Sequence, residues 1–114
     1  MTREGWTFVT NHGHVLVCLA ADPEVLVRDV AATVGITERA VQQIIGDLVE
    51  AGVVAKVRVG RRNHYLVLRE RPLRHVVESG VTVGRFVDLM RHGGGDVESG
   101  AVREVVAHLH SQGL

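Results

Sequence analysis

The chain is poor in the residues that staple or interrupt a fold. Its 114 residues include one cysteine, Cys18, and two prolines, Pro23 and Pro72. A lone cysteine excludes an intramolecular disulfide and fits a reducing compartment. No apolar run approaches the roughly 20 residues a membrane span requires, and the N-terminus lacks the basic-then-apolar layout of a secretory signal. A cytoplasmic location with no membrane partner is therefore expected. Aromatics amount to 4% of the chain, and half of them, Trp6 and Phe8, fall in the first ten residues, where they read as packing anchors. No nucleophile–base pair, phosphate loop or paired carboxylate is legible, so neither a catalytic residue nor an enzyme is expected. Net charge is missing as well, with 13 basic residues against 13 acidic ones.

What is present is an ordinary apolar content of 46%, enough for a core in a chain of this length without disulfide or metal. Residues 1–114 read as one domain. The neutral total hides a segregation. Residues 53–75 hold Lys56, Arg58, Arg61, Arg62, Arg69, Arg71 and Arg74 against Glu70 alone, a local +6 balanced by −6 elsewhere. A phosphate backbone responds to the local field, so a neutral total does not exclude nucleic acid.

Periodicity divides the chain. Thr10 or Asn11 caps a helix to about Ala21, with Val15, Leu16 and Leu19 on one face and Asp22-Pro23 as its stop. Glu24 to Leu26 are too few for a helix and read as a short strand. A second helix runs from Val27 to Val34 and ends at Gly35. Thr37 caps a third helix to Ala51, striped by Val41, Ile44, Ile45 and Leu48. The period then drops to two: Val53, Ala55, Val57 and Val59 alternate with Val54, Lys56 and Arg58, giving a half-buried strand. Gly60 to Asn63 form a link, and His64 to Arg69 return as the second strand of a hairpin with a basic tip. Pro72 closes it. Leu73 to Val81 fit either a short helix or an irregular connection. Thr82 caps a helix to His92 with Val83, Phe86, Val87 and Met90 as its apolar side. After Gly93-Gly94-Gly95, Asp96 caps a last helix to about Gln112.

The segment VRDVAATVGITERAVQQI, Val27 to Ile44, has a small residue, Ala31, where two helices must approach and Gly35 where the chain must turn. That is a helix-turn-helix pattern. Helix, short strand, helix, turn, helix and hairpin, with VRDVAATVGITERAVQQIIGDLVEAGVV followed by AKVRVGRRNHYLV, resembles the winged helix-turn-helix transcription regulators of the MarR-like and ArsR-like kind. The resemblance covers residues 10–70. It implies an α+β, mostly α fold, a three-helix core plus a β-hairpin wing; the helices read from periodicity after Pro72 make residues 73–114 a C-terminal helical extension. It also implies that the helix from Thr37 to Ala51 enters the major groove while the wing lies on the flanking backbone or minor groove.

The residues support these roles on their own chemistry. On the third helix, Glu38, Arg39, Gln42 and Gln43 lie off the buried stripe. Arginine pairs bidentately with guanine and glutamine with adenine, and an acid near the helix start can accept from cytosine. Thr37 and the free amides at the helix start suit a phosphate oxygen. The helix nevertheless carries Glu38, Asp47 and Glu50 against Arg39, so affinity is expected from the wing, where Lys56, Arg58, Arg61, Arg62, Asn63 and His64 surround a turn. One or two charges would protect a strand edge; a cluster with two arginines at the tip suits phosphate. Histidines two apart (His12 and His14, His108 and His110) lie about 200° apart on a helix and cannot share an ion, so no metal or cofactor is expected. Cys18 reads as a small core hydrophobe. Double-stranded DNA is the expected partner, with a homodimer formed through Val102, Val105, Val106 and Leu109; no residue designates an effector ligand. The alternative is a winged helix used as a protein–protein or assembly module, favoured by zero net charge and the acidic third helix.

Overall fold

A computed structural model describes residues 5–93, 107–108 and 111–113. Three helices form the base of the fold: α1 (Asn11–Ala21), α2 (Val27–Val34) and α3 (Glu38–Glu50). A two-stranded antiparallel hairpin follows, β1 (Val54–Val59) and β2 (Arg62–Val67). A short 3-10 turn (Val76–Glu78) leads to α4 (Val83–His92).

Hydroxyl caps set the helix starts. The side chains of Thr10, Thr37 and Thr82 accept from the amides of Gly13, Ala40 and Arg85, satisfying donors that the first helical turn leaves free. Between α2 and α3 the chain reverses at Gly35, whose φ of 85° is open to glycine but strained for other residues. Its amide and that of Ile36 both bond back to the Ala31 carbonyl, at 2.8 and 3.1 Å. Ala31 is buried, so its small side chain lets the helices close up. Val15, Leu16 and Leu19 of α1, Val30 of α2, and Val41, Ile44, Ile45 and Leu48 of α3 meet in one core. Val53, Val54 and Tyr65 of the hairpin and Val83 and Val87 of α4 complete it.

Several local expectations change. Glu24 to Leu26 form no strand: Asp22 closes a turn instead, its side chain accepting from Glu24 N–H and its carbonyl from Val25 N–H, both at 3.0 Å. The hairpin link is shorter than Gly60 to Asn63. Val59 pairs directly with Arg62, leaving the two-residue turn Gly60-Arg61. Gly60 has positive φ and Arg61 does not, the arrangement of a type II′ turn, whose twist suits a tight hairpin.

The alternation of β1 leaves open which of its two sides is buried. Val54 and Tyr65 face the core, so Lys56, Arg58 and Asn63 share that side by alternation. Val57 and Val59 point outward and are 52% and 54% exposed. Along β1, burial falls from Val54 at its start to exposed residues from Lys56 to Val59.

Trp6 and Phe8 are not anchors. They stack edge-to-face on each other at 4.8 Å between ring centres and are 78% and 92% exposed. Of the expected apolar side of α4, Val83 and Val87 are buried and Phe86 partly so, whereas Met90 is exposed. Val102, Val105, Val106 and Leu109, the stripe assigned to dimerisation, lie outside the described residues, as does most of the helix expected from Asp96.

These differences give a paired expectation. Leu19→Ala removes a fully buried side chain and should destabilise the protein by about 2–5 kcal/mol in urea unfolding. Phe8→Ala should change stability by less than about 0.5 kcal/mol, the usual range for a surface substitution.

Candidate nucleic-acid interface

Because α3 buries one stripe, its opposite side is fixed. Glu38, Arg39, Gln42, Gln43, Gly46, Asp47 and Glu50 are all exposed. At about 100° per residue, Arg39, Gln43, Gly46 and the acidic Glu50 cluster near the middle of that side, and Gln42 borders them toward the hairpin. Thr37 caps the helix at 3.0 Å through its oxygen, which leaves its hydroxyl proton for an outside acceptor.

The acids of α3 have different surroundings. Asp47 turns toward α1, where its carboxylate meets His12 Nε2 at 2.8 Å. Glu38 lines a hollow with Arg28, Arg61 and Arg62 without forming an ion pair to any of them. Glu50 forms no ion pair among the described residues.

The wing residues divide into three sets. Lys56 and Asn63 line a cleft against Gln42, Gly46 and Glu50 of α3, and Arg58 lies on the same side of the sheet. Arg61 occupies the tip of the turn and is exposed. Arg62 and His64 belong to the outer side and reach back to the α1–α2 connection. Arg62 Nη1 donates to the Glu24 carbonyl at 3.1 Å, and His64 Nε2 lies 3.6 Å from the Glu24 carboxylate. Tyr65 N–H donates to Pro23 O at 2.9 Å beside them. These two side chains brace the wing, a task the sequence did not disclose because Glu24 lies 38 residues from Arg62.

The rest of the basic block is partly structural. Arg69 Nη2 bonds Asp88 at 2.7 Å and tethers α4 to the end of the hairpin. That hydrogen bond holds the Asp88 carboxyl below its usual range and raises the Arg69 guanidinium in return. The Arg71 guanidinium lies over Gly52. Lys56, Arg58 and Arg61 are left as the cations best placed beside α3.

The histidines diverge as their spacing requires: His12 meets Asp47, while His14 Nδ1 lies 3.2 Å from Asn11 Oδ1. Among the described residues no group of three metal-ligating side chains converges. Cys18 packs partly buried against the core, and burial pushes its thiol pKa up, away from reactivity. Tyr65, buried at the root of the wing, carries no obvious sequence signal beyond its place in an alternating strand. No helix among the described residues is long and apolar enough to cross a membrane.

Residues 10–55 match a family model described as winged helix-turn-helix DNA-binding. No curated protein matches the chain by sequence. Among solved structures, the PcaV transcriptional regulator from Streptomyces coelicolor, in complex with its natural ligand, is 23% identical. That likeness covers 91% of this chain and 72% of PcaV at a TM-score of 0.49. MepR, a transcription regulator of the Staphylococcus aureus multidrug efflux pump MepA, is 17% identical, with 90% of this chain and 74% of MepR covered at a TM-score of 0.50. The fold is a winged helix-turn-helix, and the resemblance read from the sequence is borne out at that level.

The Arg69–Asp88 pair separates structural from interfacial cations. A carboxyl held below its unfolded value contributes stability above that value, and the contribution disappears as pH falls through the lower folded one. Between about pH 5 and pH 2, the melting temperature of Asp88→Asn should therefore fall less than that of the wild type. The effect should be small, because both side chains are about half exposed.

Proposed function

We propose that this winged helix-turn-helix chain is a sequence-specific double-stranded DNA-binding transcription regulator. The observation that carries the proposal is the side-by-side placement of a helix with a free polar face and a wing whose Lys56, Arg58 and Asn63 share the side nearest that helix. In this reading α3 lies in the major groove. Arg39 offers a bidentate contact to guanine, Gln42 and Gln43 to adenine, and Glu38 an acceptor for cytosine, while Thr37 holds a phosphate at the helix start. Lys56, Arg58 and Arg61 supply most of the affinity by neutralising phosphates and releasing counterions. Arg62 and His64 act by holding the wing in place.

The functional unit we propose is a homodimer formed through the apolar stripe Val102, Val105, Val106 and Leu109. A two-fold dimer would place its half-sites about one helical turn apart, or a multiple of that. A DNA target also places the protein in the compartment that holds the DNA.

One observation favours a second reading. Val57, Val59 and Leu66 give the outer side of the wing an exposed apolar stripe, the kind of surface a protein partner covers.

Titration of a random-sequence duplex at low and moderate salt separates the two. The wild type should bind at low salt, with affinity falling linearly on a log–log plot against salt. Arg61→Ala should weaken binding and make that slope shallower by about one. Arg39→Ala should keep most random-duplex binding while losing about 1–3 kcal/mol of preference for a selected site. No binding at low salt would contradict the DNA-binding proposal and leave the protein–protein reading.

A further inference from the structure

Gly46 stands in the interior of α3, on its exposed side. Glycine in a helix interior is unfavourable relative to alanine, because it loses the most backbone freedom on folding. Here the protein itself gives no reason for it. The backbone at Gly46 is ordinary helix without positive φ, and a Cβ built there would meet nothing within 4 Å. The missing side chain therefore leaves room for something outside the chain.

The surroundings indicate what that is. Gly46, Gln42, Val49 and Glu50 of α3 form one wall of a cleft of about 310 Å³, and Lys56 and Asn63 of the wing stand on the other. If α3 occupies a major groove and the wing the flanking minor groove, the strand dividing those grooves must pass between them. The cleft is the space available for it. We infer that one sugar–phosphate strand of the duplex lies in this cleft and makes its closest approach to the protein at Gly46, with Lys56 and Asn63 donating to its phosphate oxygens. This rests on the DNA-binding reading and adds to it a seat for the strand. Glu50, at the end of the cleft and without an ion pair among the described residues, is the one lining acid that faces the strand and weakens its binding.

The test uses the whole chain, a random-sequence duplex as probe, and the variants Gly46→Ala, Gly46→Leu and Glu50→Gln. Gly46→Ala should raise the melting temperature by about 3–6 °C, as a helix-interior alanine replaces glycine. Its duplex affinity should nevertheless fall about fivefold or more, since an added methyl wedges open a close contact. Gly46→Leu should bind more weakly still. Glu50→Gln should bind about two- to threefold more tightly, with one phosphate repulsion removed.

If both Gly46 variants bind like the wild type while Arg61→Ala weakens binding, the cleft assignment is overturned and DNA binding stands. A lower melting temperature for Gly46→Ala would also overturn it, since the glycine would then serve the fold. A wild type that binds no duplex at low salt overturns both proposals.

Discussion

The burial of Val41, Ile44, Ile45 and Leu48 on one stripe of α3 governs what the rest of the molecule can present. Each such side chain contributes about 1.5–3 kcal/mol when removed from water, so the rotation of α3 about its axis is not free to drift. With those four held against α1 and α2, Arg39, Gln43 and Gly46 face outward and Gln42 borders the wing. The Gly35 turn serves the same end. By bonding back to Ala31 it fixes where α3 begins, and the Thr37 cap fixes its first turn. The outer face of the helix is thus a consequence of its inner one.

Charge is arranged around that face by pairing as much as by number. The chain has equal numbers of acidic and basic residues, but their settings differ. His12 draws Asp47 toward α1, and Asp88 holds Arg69 at the far end of the hairpin. Arg62 and His64 brace the wing against the α1–α2 connection through Glu24. Lys56, Arg58 and Arg61 stay beside α3 with no such commitment to a carboxylate among the described residues. A braced wing matters because phosphate contacts from a mobile hairpin would lose side-chain and backbone entropy on binding. The residues that hold the wing thereby support those proposed to touch DNA.

Much of this was legible in the sequence because it is local. Threonine caps, the Gly35 turn and the 3.6-residue stripe of α3 are written within a few residues of where they act, and the helices fall where those signals put them. The hairpin was legible as an alternation, but alternation does not say which set is buried. Val57 and Val59 outnumber the apolar residues on the opposite side of β1, yet the core lies with Val54, because Tyr65 across the strands joins it. That choice depends on cross-strand register, which the valines alone do not encode. The same limit applies to Arg62 and Arg69, whose partners lie 38 and 19 residues away in sequence. Trp6 and Phe8 show the converse: large apolar side chains suggest burial, but these two find mainly each other.

The central claim is that DNA meets the outer face of α3 together with the side of the wing nearest to it. Two-dimensional amide and methyl NMR during titration with a short duplex tests this most directly. The amides of Arg39, Gln42, Gln43, Gly46, Lys56 and Asn63 should shift, while the methyls of Val57, Val59 and Leu66 on the outer side of the wing stay in place. Shifts confined to those outer methyls, with the amides of α3 unmoved, would contradict the account.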